Sequence, residues 1–159
     1  MPITVHQGEK AHEFLRKHTV GVLATVSPDG EPHAAAVYYL VDGNNDVFFI
    51  TRTGTRKAKN LAHNPHAVLL VYEAAVQTSV EVSGHAAVVA DAAEVDRLLS
   101  KIIYASLDNS GSDEPPFVKL HEGEYIAYRL TPQEVRMAVF SKPTSGDYNT
   151  FFSTFTPAM

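Results

Sequence analysis

The sequence predicts a mainly β protein, an antiparallel barrel with peripheral helices. About seven short segments are rich in β-branched and aromatic residues, turn sequences separate most of them, and only three segments have helical spacing. An antiparallel sheet with this many strands removes its exposed edges by closing into a barrel. The 159 residues fit one domain, 1–159, in which 141–159 form a C-terminal tail.

The first half of the chain has the pattern of a helix followed by a three-stranded meander. In residues 9–17, Ala11, Phe14 and Leu15 fall on one face, as in an amphipathic surface helix. Turn sequences beginning at Pro28 and Asp42 then separate three extended segments. We predict these strands at 19–26, 33–41 and 47–51.

A second helix is expected at 55–63, ending at Asn64-Pro65 because a residue before proline avoids the helical region. Two strands should follow. We place them at 66–72 and 78–89, and we expect the longer one to bend around Gly84.

The third predicted helix starts at Ala92, where Asp91 can act as the N-cap and Glu94 as its capping-box partner. Residues 108–116 have the composition of a loop. Beyond them we predict two last strands, at 125–130 and 135–140, on either side of Thr131-Pro-Gln.

The C-terminal tail has no clear periodicity but is rich in aromatic residues, so we expect it to dock against some other surface. These residues are Tyr148, Phe151, Phe152 and Phe155. They could cover the ring of a bound cofactor or seal a dimer core.

Composition excludes several classes of function. The chain has no cysteine, which rules out disulfides, thiolate metal sites, iron–sulfur clusters and cysteine nucleophiles. The formal charge of −5 and the absence of one long basic stripe argue against a nucleic-acid partner. The first residues show neither a signal peptide nor a membrane span, so a cytoplasmic location without a membrane partner is expected.

One basic segment has the outline of an anion site. The strand at 47–51 runs into Gly54 and then into a helix that begins with Arg56 and Lys57. Free amides at a helix N-terminus and the helix dipole favour a phosphate there, and the hydroxyls of Thr51, Thr53 and Thr55 could add hydrogen bonds. On spacing alone, the cations could equally be the solvated face of a short helix.

Four motifs together resemble the flavin-binding split barrels of the pyridoxamine 5′-phosphate oxidase family. They are Pro28-Asp-Gly-Glu-Pro-His, Val47-Phe-Phe-Ile-Thr, Gly54-Thr-Arg-Lys-Ala and Asn64-Pro, and the similarity covers roughly residues 14–89. The resemblance implies an antiparallel split β-barrel of the FMN-binding type. It also implies a homodimer with flavin sites at the subunit interface.

The resemblance further implies which residues hold the cofactor. Arg56 and Lys57 correspond to the phosphate-binding pair, and Ile50 and Thr51 to the strand end beside the ribityl chain and ring. Ala36, Val37 and Tyr38, with Ala35 before them, correspond to the strand whose backbone follows the isoalloxazine edge. Ser79 falls near a position that often supplies a polar contact.

The chain departs from true pyridoxamine phosphate oxidases at the substrate site. Residues 101–108 contain no arginine, and the C-terminal part of the chain, where those oxidases have an Arg-x-His, has none. We therefore expect a different, small-molecule substrate. The predicted activity is that of an FMN-dependent oxidoreductase that passes hydride or electrons from a reduced nicotinamide to a small acceptor.

Three alternatives remain open from the sequence. A deazaflavin could replace FMN in the same pocket, or the protein could bind a flavin without catalysis. Haem is the third, with His85 or His121 as a possible ligand. We predict no metal site, because Asn64-Pro65 breaks the helix that would bring His63 and His66 onto one face.

Overall fold

The computed structural model describes residues 5–110, 118, 123–141 and 151–157. Within these ranges the chain forms three α-helices, seven β-strands and one turn of 3₁₀ helix, Ala74–Val76. The bounds are α1 Val5–Lys17, β1 Val20–Val26, β2 Pro32–Val41, β3 Val47–Arg52, α2 Arg56–His63, β4 His66–Glu73, β5 Thr78–Val88, α3 Ala92–Ser110, β6 Tyr125–Val139 and β7 Phe152–Phe155. No helix in the described part of the chain is both long and apolar enough to cross a membrane.

Six of these strands close into an antiparallel barrel. Their order is β3-β2-β1-β4-β5-β6, and β6 pairs again with β3 to complete the circle. The predicted fold class, a mainly β antiparallel barrel with peripheral helices, is confirmed. The meander β1-β2-β3 and the bend of β5 at Gly84 also follow the prediction, since the β5–β6 register shifts at Ser83/Gly84.

Two apolar clusters hold the barrel together. One fills the interior with alternate side chains such as Leu23, Val37 and Phe49. The other lies outside the sheet, where α3 covers Phe48 and Ile50. Both faces of β3 are therefore buried, which explains why that strand is an unbroken apolar run rather than an alternating one.

The first two helices occupy opposite ends of the barrel. Helix α1 adds Phe14 and Leu15 to the interior cluster, and the hydroxyl of Tyr39 donates a 2.7 Å hydrogen bond to the Leu15 carbonyl. At the other end, the amide of Asn60 in α2 donates to the hydroxyl of Thr25 in β1 over 3.0 Å. Each helix is thus fixed to the barrel by burial and by a buried hydrogen bond.

The two last predicted strands are in fact one. Strand β6 continues through Thr131-Pro-Gln, where the sequence suggested a break. Pro132 is tolerated because β3 pairs with β6 only as far as Leu130 and β7 only from Val135, so β5 alone is adjacent there. The ladder to β5 is also interrupted at this point, which removes the need for a proline N–H.

Other boundaries also differ from the sequence prediction: α1 begins at Val5 rather than at residue 9, and several strand ends are shifted by one residue. Residues 108–110, expected in a loop, extend α3, whose N-cap is Asp91 as predicted: its carboxylate accepts from the Glu94 amide at 3.1 Å. Phe152–Phe155 of the tail forms β7 against the second half of β6. The remainder of the predicted loop and Tyr148 lie outside the described residues.

Candidate anion-binding site

The candidate site starts where β3 passes into α2. Thr55 is the N-cap of α2: its hydroxyl accepts from the Ala58 amide at 3.4 Å and donates to the Arg52 carbonyl at 2.8 Å. The hydroxyl of Thr51, which is fully buried, lies 3.1 Å from that of Thr55. These hydroxyls are therefore used to build the helix start, and their contact with a ligand stays a prediction.

Two cations stand in the first turn of this helix. Arg56 is exposed and Lys57 is half-buried, and no carboxylate of the described residues lies within ion-pair distance of either. The first amides of the helix also lack intrahelical partners. Two positive side chains and the positive end of the helix dipole thus act on the same volume.

The electrostatics of this region disfavour further positive charge. Burial lowers the pKa of Lys57. The pKa of His33 is also lowered, first by burial and then by the positive charges of Arg56 and Lys57. An anion in this volume would offset both effects, because it stabilises nearby cations.

Strand β2 contributes an unpaired backbone edge beside the cations. Residues 32–38 pair with β1 on one side, whereas β3 pairs only with 39–41 on the other. Along 32–38 no strand of the described chain occupies that second edge. Its N–H and C=O groups are accordingly available to a ligand with hydrogen-bonding atoms along one edge.

The remaining predicted residues on β2 and β3 divide between three environments. Val37 points into the barrel core. Tyr38 and Ile50 meet in the cluster beneath α3, and Ala36 is exposed on the outer face. The backbone of β2, rather than the side chains of Val37 or Tyr38, is therefore the part that faces open space.

Ser79 is not brought to the cations within this chain. It lies on the outer face of β5 opposite Tyr72, and β1 and β4 separate β5 from β2. His66 and His85 pair six positions away from Tyr72 and Ser79 along β4 and β5, and they lie at the end of this outer face that is nearer to α2. The contact between Ser79 and a ligand at Arg56 stays a prediction.

The outer face of β2, β1 and β4 is apolar and uncovered in the described structure. Val22 lies between Ala36 and Leu70 across the three strands. Val20, Val22, Leu70 and Tyr72 are 41%, 42%, 38% and 58% exposed. We call the outward side chains of Val20, Val22, Ala24, Ala34, Ala36, Val68, Leu70 and Tyr72 the apolar sheet face.

Three features of this end of the barrel were not found from the sequence. His33 belongs to the Pro28-to-His33 motif, but its place beside α2 depends on the register of β1 with β2. His66 and His85 form a cross-strand pair with ring nitrogens 3.1 Å apart, whereas the sequence analysis considered only His63 with His66 as a pair and rejected it. A cleft of about 500 Å³ lies between α2 and the ends of β5 and β6, with Tyr128 in its wall.

Most of the chain is similar to a family of known proteins. Residues 8–138 match the family model described as pyridoxamine 5′-phosphate oxidase. A curated relative, the pyridoxine/pyridoxamine 5′-phosphate oxidase of Burkholderia mallei strain SAVP1, is 39% identical over 62 residues, which are 39% of this chain and 29% of the relative. The match thus spans less than a third of the length of that oxidase.

Solved structures show the same fold. A pyridoxamine 5′-phosphate oxidase-related, FMN binding protein from Nostoc punctiforme is 18% identical, with a TM-score of 0.64 and all of both chains covered. An F420 reductase is 24% identical, with a TM-score of 0.62 over 77% of this chain and 94% of the reductase. At this level of identity the two likenesses establish the split-barrel fold alone.

Proposed function

The chain belongs to the pyridoxamine 5′-phosphate oxidase family, and from this premise we propose that it is a flavoprotein that holds the phosphate of FMN with Arg56 and Lys57. The observation that carries the proposal is the pair of cations without carboxylate partners in the described structure, placed at the N-terminus of α2. Arginine can form a two-pronged contact with phosphate, and lysine adds a point charge.

The unpaired edge of β2 supports a flavin in particular. One edge of the isoalloxazine ring carries alternating carbonyl oxygens and an N–H, which complement free backbone groups. Residues 34–38 offer such groups next to the cations, and exposed alanines such as Ala34 and Ala36 leave room for a flat ring. The ring would thus be oriented by the backbone of β2, while α2 holds the phosphate.

We propose an oxidoreductase activity, with a reduced nicotinamide as donor and a small molecule as acceptor. When bound, FMN supplies the hydride or electron transfer. The residues of this chain would bind the cofactor, orient it and exclude water from one side. The lack of an arginine in 101–108 and of an Arg-x-His near the C-terminus supports a substrate other than pyridoxamine phosphate.

A deazaflavin is the second candidate cofactor. The fold is shared with an F420 reductase, and a deazaflavin has the same ring edge as FMN. Direct titration separates the two cofactors.

We also propose that the protein is a homodimer in which the apolar sheet face of one chain packs on that of another. Exposed apolar patches of this kind usually mark an interaction surface. The face includes Ala36 at the predicted flavin edge and adjoins Ser79 on β5. A two-fold dimer built on it could therefore bring Ser79 of one chain to a cofactor held by the other.

The test of the cofactor site is a fluorescence titration with FMN, riboflavin and deazaflavin. At about 1.5–3 kcal/mol for each charge-assisted hydrogen bond, Arg56→Ala combined with Lys57→Ala should weaken FMN binding by about 10²- to 10⁴-fold. Riboflavin, which has no phosphate, should bind both proteins equally. Lys59→Ala, an exposed cation one turn further along α2, is the matched control. Unchanged FMN affinity in the double variant would reject the assignment.

A further inference from the structure

His33 stands at the inner side of the β2 end that faces α2. Its cross-strand partner is Thr25, whose hydroxyl receives the hydrogen bond from Asn60. Lys57 precedes Asn60 by three residues and so lies on the same side of α2. The imidazole is thereby placed next to the cations of the proposed phosphate site.

The ring has one nitrogen that no described group satisfies. Nδ1 of His33 is fully buried and has no hydrogen-bond partner in the described structure. A proton on this atom would be a buried donor without an acceptor, and in the charged ring it would also carry an uncompensated buried charge. The favoured form is therefore the neutral ring with its proton on Nε2, the nitrogen that is not enclosed.

We propose that His33 is a third phosphate-binding residue, a neutral imidazole that donates its Nε2 proton to an oxygen of a phosphate monoester held by Arg56 and Lys57. This inference rests on the function proposed above and specifies the ligand class of that site. A monoester has three terminal oxygens and about −1.5 to −2 charge, whereas each phosphate of FAD has two terminal oxygens and one negative charge. Three donors at one phosphate would therefore favour FMN over FAD.

The charges of the site agree with a neutral third ligand. A phosphate monoester carries about −1.5 to −2 at pH 7, and Arg56 and Lys57 together supply two positive charges. These two cations of α2 are the charged groups that act on the ring, and both lower the pKa of His33. Thr25, its neighbour on β1, carries no charge. A neutral histidine therefore adds a directional donor without adding repulsion between cations.

The test compares FMN, riboflavin and FAD on four proteins: wild type, His33→Ala, His33→Gln and the control His63→Ala, an exposed residue at the end of α2. For His33→Ala we expect FMN affinity to fall about ten- to a hundredfold, as for one hydrogen bond to a charged group. Riboflavin affinity should stay unchanged and the preference for FMN over FAD should shrink. His33→Gln, which keeps an N–H donor, should recover part of the loss.

Several outcomes would overturn the proposal while leaving the flavin site intact. One is an equal loss of FMN and riboflavin affinity, which would mean that His33 only shapes the barrel end; another is no loss at all. Wild-type protein that binds no flavin would instead reject the proposed function. Nitrogen-15 NMR then tests His33 separately with inorganic phosphate: we expect an Nε2–H tautomer whose signal shifts on phosphate addition, and an Nδ1–H tautomer or an unchanged signal would contradict the assignment.

Discussion

Gly84 lies where β5 and β6 change register, and the two backbones approach closely there. A Cβ atom built on Gly84 would sit 2.0 Å from the carbonyl oxygen of Thr131, which is backbone and cannot rotate away. We expect Gly84→Ala to lower the free energy of unfolding by about 1–3 kcal/mol, the usual cost of overpacking. Urea denaturation at matched protein concentration measures this change in the free energy of unfolding.

Gly43 is the matched control for this substitution. Its Cβ would meet nothing within 4 Å, and its φ is not among the positive values of the described glycines. Gly43→Ala should therefore be neutral or stabilise by up to about 1 kcal/mol through the unfolded chain. A Gly84→Ala protein as stable as Gly43→Ala would show that the close approach is not rigid.

At the scale of single residues, the sequence predicts a site residue where the residues that define its position are neighbours in the chain. The helix start at Thr55, Arg56 and Lys57 could be read directly, because an N-cap and its first turn are contiguous in the chain. His33 could not, since its position depends on the pairing of β2 with β1 and of β1 with α2. All eight predicted cofactor contacts, with Arg56, Lys57 and Ser79 among them, remain predictions that a bound structure must test.

At the scale of elements, α1 is held on the barrel by one buried hydrogen bond as well as by its apolar face. The Tyr39 hydroxyl is buried, which raises its pKa, and it donates to the Leu15 carbonyl. Tyr39→Phe leaves that carbonyl without its partner and should cost about 1–3 kcal/mol.

Thermal unfolding with circular dichroism detection is the measurement for this variant. Tyr104→Phe on α3, where the residue is 73% exposed, removes the same hydroxyl from the surface and should change stability by less than about 0.5 kcal/mol. Equal losses of stability in the two variants would mean that a water molecule replaces the Tyr39 hydroxyl as the donor to the Leu15 carbonyl.

Helices and strands could be predicted from the sequence where local residue patterns define them, and not where pairing with a distant strand does. Amphipathic spacing and turn residues located the helices and the hairpins of β1 to β5. The continuity of β6 through Pro132 was missed because a proline signals a break wherever a strand is paired on both sides, and here one side is free. Strand β7 was missed because it is defined by pairing with β6 and has no pattern of its own.

At the scale of the whole molecule, the exposed apolar sheet face predicts that two chains associate. We expect the wild type to be a dimer at micromolar concentration, and Leu70→Glu to shift it towards monomer because a carboxylate would be buried without a partner. Analytical ultracentrifugation measures the shift. Val76→Lys, at a residue 43% exposed but outside this face, should leave the dimer unchanged.

The dimer also links this surface to the cofactor. If Ser79 of one chain contacts the flavin of the other, Leu70→Glu should weaken FMN binding although Leu70 lies outside the phosphate site. A wild type that stays monomeric, or a Leu70→Glu protein that dimerises normally, would refute the proposed interface.

The pairing of β3 with β6 also bears on how the chain folds. Val47 pairs with Leu130 and Arg52 with Tyr125, whereas β1, β2 and β3 pair through short turns and β4 joins β5 through one turn of 3₁₀ helix. Contacts between distant parts of a chain form slowly, because the entropy of closing a long loop is lost before the contact is gained. We expect the meander β1-β2-β3 and the hairpin β4-β5 to form first and the pairing of β3 with β6 to form last. Thr51 and Arg52 belong to that pairing, and Arg56 and Lys57 follow it closely in the chain. We therefore expect the phosphate site to become complete only in the final folding step, so that FMN would select the closed barrel rather than guide its assembly.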